Sequence, residues 1–162
     1  MTDLGPLVDD RHPADVVTSM VEHVLELAST WVLWTGSPVE VPVDGKPPRD
    51  YTPHKAVRRV ADHLIDHLAE LEARLAGRPT APDNWHGSMV TTPADLAVFT
   101  QSDLDEANSR LRRLGQIWDV RLRSLTDEQL DDAPDGAWTL RQVAFHVAES
   151  AFYADSIGAL SE

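Results

Sequence analysis

The feature that most limits how this chain can fold is a run of apolar residues at helical spacing between Thr52 and Leu75, TPHKAVRRVADHLIDHLAELEARL. Val57, Val60, Ala61, Leu64, Leu68, Leu71 and Leu75 recur every three or four positions, so one face of a long helix must be covered by something else. Thr52 is placed to cap the first turn, and Pro53 suits the first helical position, where its missing N–H costs nothing. The same stretch carries His63 and His67. Residues four apart lie about 6 Å apart along a helix and close together around it, so both imidazoles can reach one cation. Equally, each could be an ordinary histidine at the wet edge of a core.

Three further stretches repeat the pattern. From Pro13 to Trp34, Val17, Met20, Val24, Leu27, Trp31 and Trp34 mark an amphipathic helix. Ser102 is positioned to cap a helix with Leu104, Ala107, Leu111, Leu114, Trp118 and Leu125 on one face, and acids in its first turn suit the helix dipole. Thr126 can cap a short turn. Thr139 and Gln142 have capping-box spacing at the start of a last helix, whose stripe runs through Leu140, Val143, Val147, Ala151 and Ala154. His146 lies at the edge of that stripe.

Between these helices the sequence breaks. GSPVEVPVDGKPPRD, residues 36–50, is dense in Pro and Gly and predicts a loop; VEVPV allows a short extended edge, but Pro42 cannot donate within a central strand. Gly77 supplies a stop, and another Pro-rich connector follows, in which Trp85 and His86 either close over a pocket or anchor the loop. Met1 to His12 predicts an irregular N-terminal arm. Four stripes can all be buried only by packing together, so an all-α four-helix bundle in one domain spanning 1–162 is expected. In it, His63, His67 and His146 converge if their two helices face each other.

Composition narrows the function. There are 14 Lys plus Arg against 27 Asp plus Glu, a formal net charge of -13, which repels nucleic acid and anionic membrane surfaces. The chain has no cysteine, which excludes disulfides, thiolate ligands and a cysteine nucleophile, and fits a reducing cytoplasm. No secretory leader or run of about 20 apolar residues is evident. The wide apolar face around Trp31 and Trp34 raises the alternative of a non-catalytic bundle that acts as a homodimer. A carboxylate-bridged metal pair built from Glu22, His23, Glu26 and Glu149 has the wrong residue order, and a serine hydrolase lacks a nucleophile elbow.

Three neutral imidazoles leave coordination positions of Zn²⁺ or Ni²⁺ open to a small-molecule substrate. Ligand imidazoles commonly donate their second N–H to a carboxylate, which makes Asp62, Asp66 and Glu149 candidates to orient them.

Two segments carry a family resemblance. LTDEQLDDAPDGAWTLRQVAFHVAES resembles the opening half of DinB-like proteins, where a loop, a tryptophan and a Thr or Ser cap lead into a helix with one metal-binding histidine. TPHKAVRRVADHLIDH is similar to the later half, with its H-x-x-x-H pair. The two halves stand here in the reverse order, as a circular permutation or a duplicated two-helix unit would give. The resemblance implies a DinB-like bundle with His63, His67 and His146 as its metal triad. It also implies transfer of a low-molecular-weight thiol, or hydrolysis or isomerisation of a small molecule, with a thiol cofactor such as mycothiol. Arg58, Arg59 and Arg141 would then bind carboxylates of that cofactor, unless they serve as surface salt bridges.

Overall fold

The computed structural model describes residues 9–84 and 86–162. They are mainly helical: α1 spans Pro13–Ala28, α2 Pro53–Leu75, α3 Gln101–Arg123, α4 Asp127–Asp131, α5 Leu140–Ala148 and α6 Ala151–Asp155. A two-stranded antiparallel hairpin, β1 Val39–Val43 and β2 Lys46–Tyr51, lies between α1 and α2. The segment 1–8 of the expected arm lies outside the described residues; His12, at its end, caps α1 by accepting from the Ala14 N–H at 3.1 Å.

Helix α1 packs against α3, α5 and α6, and α2 against α3, α5 and α6. The shared core includes Val17, Val24, Val60, Leu64, Leu111, Trp118 and Val147, all fully or almost fully buried. Segment Pro13–Leu33 is long and apolar enough to cross a membrane by length and composition alone. Nine residues of α1 nonetheless bury their apolar face inside this protein.

Local chemistry explains each boundary. Thr52 caps α2, with Pro53 at its first position, and Gly77 takes a left-handed backbone (φ 65°) just past its end. The capping boxes at Thr126 with Gln129 and at Thr139 with Gln142 are formed. Helix α3 begins two residues earlier than its Ser102 signal, because Thr100 and Asp103 make a capping box that satisfies both backbone N–H groups.

Several expectations are corrected. The Pro-rich stretch 36–50 is a hairpin rather than a loop, with Val39 opposite Tyr51 and Val41 opposite Arg49. Its turn is Asp44-Gly45, with Gly45 at φ 68°, and the register slips between Val41 and Val43, around Pro42. The first helix stops at Ala28, not Trp34; a 3₁₀ turn, Trp31–Leu33, then folds Trp31 inward. There Trp31 is fully buried and its indole N–H donates to Gly158 O at 2.8 Å, so it is not on a dimerisation surface. The last helix divides at Glu149 and Ser150 into α5 and α6. On α3, Gly115 and Leu122 are buried and Leu114 is partly buried at the edge of the core, as is Leu125, which lies past the helix end.

A buried lysine ties the hairpin to the helices. Lys55, 1% exposed, donates from Nζ to Asp50 O at 2.7 Å and to Thr91 Oγ1 at 3.1 Å, and burial pushes its pKa down.

Candidate metal centre

Helix α2 presents His63 and His67 one turn apart, and α5 brings His146 against them. The three rings form a nearly equilateral triangle. Their centroids are 4.7 Å apart for His63 and His67, 4.8 Å for His63 and His146, and 5.0 Å for His67 and His146. One nitrogen from each lies within 4.8 Å of the others, so the group could hold a metal ion. The convergence depends on the Thr139 cap, which fixes where α5 starts and therefore which turn carries His146 towards α2.

Two of the rings are held from behind by carboxylates on their own helices. His67 Nδ1 pairs with Glu70 Oε2 at 2.8 Å, and His146 Nδ1 pairs with Glu149 Oε2 at 3.2 Å. With Nδ1 committed to a carboxylate, Nε2 is the nitrogen left for a cation, an arrangement typical of metal-ligating histidines. The hydrogen bond from His67 also holds the Glu70 carboxyl below its usual pKa. Trp138 stands edge-on to His146 with centroids 4.8 Å apart, walling that ring on its other side.

Charge favours the neutral, ligand-competent state. Burial, followed by the facing His67 and His146 rings, pushes the His63 pKa down to about 3. A proton there would have to be carried in a half-buried position and beside two more imidazoles. Three neutral nitrogen donors without a thiolate match the preferences of borderline cations such as Zn²⁺ and Ni²⁺, so the donor set fits the expected ion.

Two members of the triad, His63 and His67, border a cavity of about 830 Å³, large enough for a small molecule. His63, Asp66, His67 and Glu70 line it, together with Arg59, Tyr153 and segment 80–84.

The other site residues expected from the sequence are dispersed. Glu149 does contact a triad histidine. Asp62, 8% exposed, faces Arg59 instead, and burial raises its pKa; Asp66 lines the cavity. Of the three arginines, Arg59 lines the cavity, whereas Arg58 is held by Asp95 at 2.7 Å and Arg141 by Asp131 and Asp127. His23 pairs with Asp155 at 2.7 Å and Glu22 with Arg112 at 3.1 Å, so neither builds a second metal pair with Glu149. His86 is exposed, and Trp85 lies outside the described residues. Glu70 is the functional residue that sequence reasoning missed; its signal is the His67-x-x-Glu70 spacing, identical to His146-x-x-Glu149.

The fold and site together define a class: a mainly helical protein with a three-histidine group beside an open cavity. Comparison with protein-family models, with curated proteins and with solved structures finds no match to this chain.

Proposed function

We propose that this protein is a metal-binding four-helix bundle of the DinB-like kind, its halves in permuted order, which acts on a small molecule at His63, His67 and His146. The observation that carries this reading is the triad with Glu70 and Glu149 behind it, since a chance meeting of three imidazoles does not require oriented carboxylates. The cation is zinc or nickel, and the reaction is transfer of a low-molecular-weight thiol, such as mycothiol, or hydrolysis, in a cytoplasmic setting.

A divalent ion held by His63, His67 and His146 would supply Lewis acidity to a water or thiol brought to it. The protein's own part is to keep His63 neutral by burial, to fix the tautomers of His67 and His146 through Glu70 and Glu149, and to admit substrate from the cavity. A cysteine-free chain can keep the thiol chemistry in the substrate alone.

Elemental analysis of protein purified without added metal tests the first step. The expected content is about one ion per chain, falling to background in a His63→Ala, His146→Ala double variant that keeps its helical circular dichroism. Equal metal in the two proteins would remove the centre.

A further inference from the structure

Arg59 stands one turn before His63 on α2, about 6 Å along the axis. Its side chain is 10% exposed and forms part of the wall of the triad's cavity. Other arginines are forked on carboxylates at normal hydrogen-bond length. Arg58 donates to Asp95 at 3.2 and 2.7 Å, and Arg141 donates to Asp131 at 2.7 and 3.1 Å and to Asp127 at 3.2 Å.

Arg59 has no such fork. Its Nη1 reaches Asp62 and its Nη2 reaches the Tyr153 hydroxyl, both at 3.4 Å, and its Nε is buried without a hydrogen-bond partner among the described residues. Arg74 Nη1 is also buried without a hydrogen bond among the described residues, but it is ion-paired with Glu70 at 3.7 Å, and Arg74 lines a different hollow, beside Leu140. A guanidinium with five donors, withdrawn from water and this weakly bonded, is costly to the fold.

The surroundings keep it in place. The Tyr153 ring lies beneath the guanidinium, 5.3 Å from its carbon to the ring centroid, and the Tyr153 hydroxyl is 3.5 Å from Ser88 Oγ. Gly87 lies so close that a Cβ there would fall 2.8 Å from both Arg59 Cδ and Nη1, and 2.7 Å from Arg58 Nη1. Protein packing therefore holds a planar donor fork at the cavity wall and leaves its hydrogen-bonding capacity mostly unspent.

We infer that Arg59 is the anion-binding end of this cavity, taking the carboxylate of a small-molecule acid whose reacting end reaches the histidine triad. The inference rests on the triad being the reaction centre, and it names the substrate class of that site. A planar guanidinium matches a carboxylate in a bidentate pair, and Tyr153 and Ser88 supply hydroxyls at its edge. Asp66, Glu70 and Asp83 also line the cavity, so a carboxylate is drawn to the Arg59 end rather than to theirs.

Calorimetric titration with succinate, and with succinamide as its uncharged counterpart, tests the inference on metal-loaded and on chelator-treated protein. Succinate is expected to bind and succinamide is not. Arg59→Gln should weaken succinate by about tenfold or more, the usual worth of a charge-assisted pair. Gly87→Ala keeps the charge and crowds the Arg59 fork together with Arg58 Nη1, so it should weaken binding in the same direction even where Arg59→Gln fails to fold. Arg112→Gln, a surface change paired with Glu22, should match the parent. Equal succinate affinity in the parent and both cavity variants, equal binding of succinamide, or no succinate binding by the parent would overturn the inference. Metal content measured on the same samples separates the two readings: a metal-free parent with Arg59-dependent binding would sink the triad and leave the arginine subsite standing.

Discussion

Helices α2 and α3 have the same length, 23 residues, and both begin at a threonine cap, yet they bury different chemistry. The inward face of α3 is made of Leu104, Ala107, Leu111, Gly115, Trp118 and Leu122. That of α2 interrupts its apolar residues with Lys55, Arg59 and Asp62, and sets His63 and His67 at the margin. Buried charge opposes folding unless it is paired, so a helix built only for packing would look like α3. Lys55 is spent on the hairpin, whereas Arg59, His63, Asp66, His67 and Glu70 line the cavity, and perturbed groups beside a cavity are what functional sites look like. One long helix is scaffold, and the other carries the site on it.

The seam between the two is the place to break that division most severely. Trp118 of α3 is fully buried, and its indole N–H donates to Leu64 O of α2 at 3.1 Å, next to His63 in sequence. Trp118→Ala should cost about 3–5 kcal/mol in urea unfolding, by lost burial and the cavity left behind. A loss below about 1 kcal/mol would mean that α2 holds its place without α3.

Next in size come the carboxylates behind the triad. Glu70→Ala and Glu149→Ala should each lower metal affinity by about 10–100-fold, with the larger effect at Glu70. Its bond to His67 is shorter, and its side chain is 32% exposed against 59% for Glu149. Competition with a chelator gives the number, and Trp138 beside His146 offers a fluorescence signal for nickel binding. Unchanged affinity in both variants would reduce these glutamates to ordinary surface acids, as α3 carries.

The pH dependence of metal-stripped protein sharpens the same contrast. His63 takes up a proton near 6.5 when unfolded but only near pH 3 when folded. Below pH 6.5 the unfolded state therefore binds more protons, and stability present above 6.5 is lost as pH falls towards 3. The slope from this one group is at most about 1.4 kcal/mol per pH unit. Urea midpoints from pH 7 to 5 should fall, and in His63→Ala they should fall less; identical slopes would show that His63 is not held neutral by burial.

How far the sequence could be read follows from where the physics is local. Caps are local: the Thr52, Thr126 and Thr139 signals each mark a real helix start, and the apolar period of α2 marks its buried face correctly from Val57 to Leu71. The meeting of His63, His67 and His146 was legible as well, because each sits at the same edge of a stripe that has to be buried. The hairpin was not, since Pro42, Pro47 and Pro48 argue against strands; they are tolerated because the ribbon has two strands and therefore two open edges. The inward turn of Trp31 was hidden too. The helical period continues through Trp34 in sequence, and only the docking of Trp31 onto Gly158, 127 residues away, ends the helix early. Nor could spacing distinguish Arg59 from Arg58 and Arg141, because which arginine finds a carboxylate is a tertiary fact.

The smallest expected effect lies where α3 meets α1. Gly115 is the buried position on α3 without a side chain, and a Cβ there would fall 3.2 Å from Cγ2 of Val21, which is 2% exposed. Replacing a mid-helix glycine by alanine gains about 1 kcal/mol in helix propensity. Crowding opposes that gain. A β-branched valine on a helix has one strongly preferred rotamer and cannot swing aside, and overpacking a core costs about 1–3 kcal/mol. Gly115→Ala should therefore destabilise by about 1 kcal/mol or less, read as a small downward shift of the urea midpoint with metal content unchanged. A rise in stability would show that α1 slides on α3, and a fall in metal content would show that the packing face and the cavity face of this fold are coupled after all.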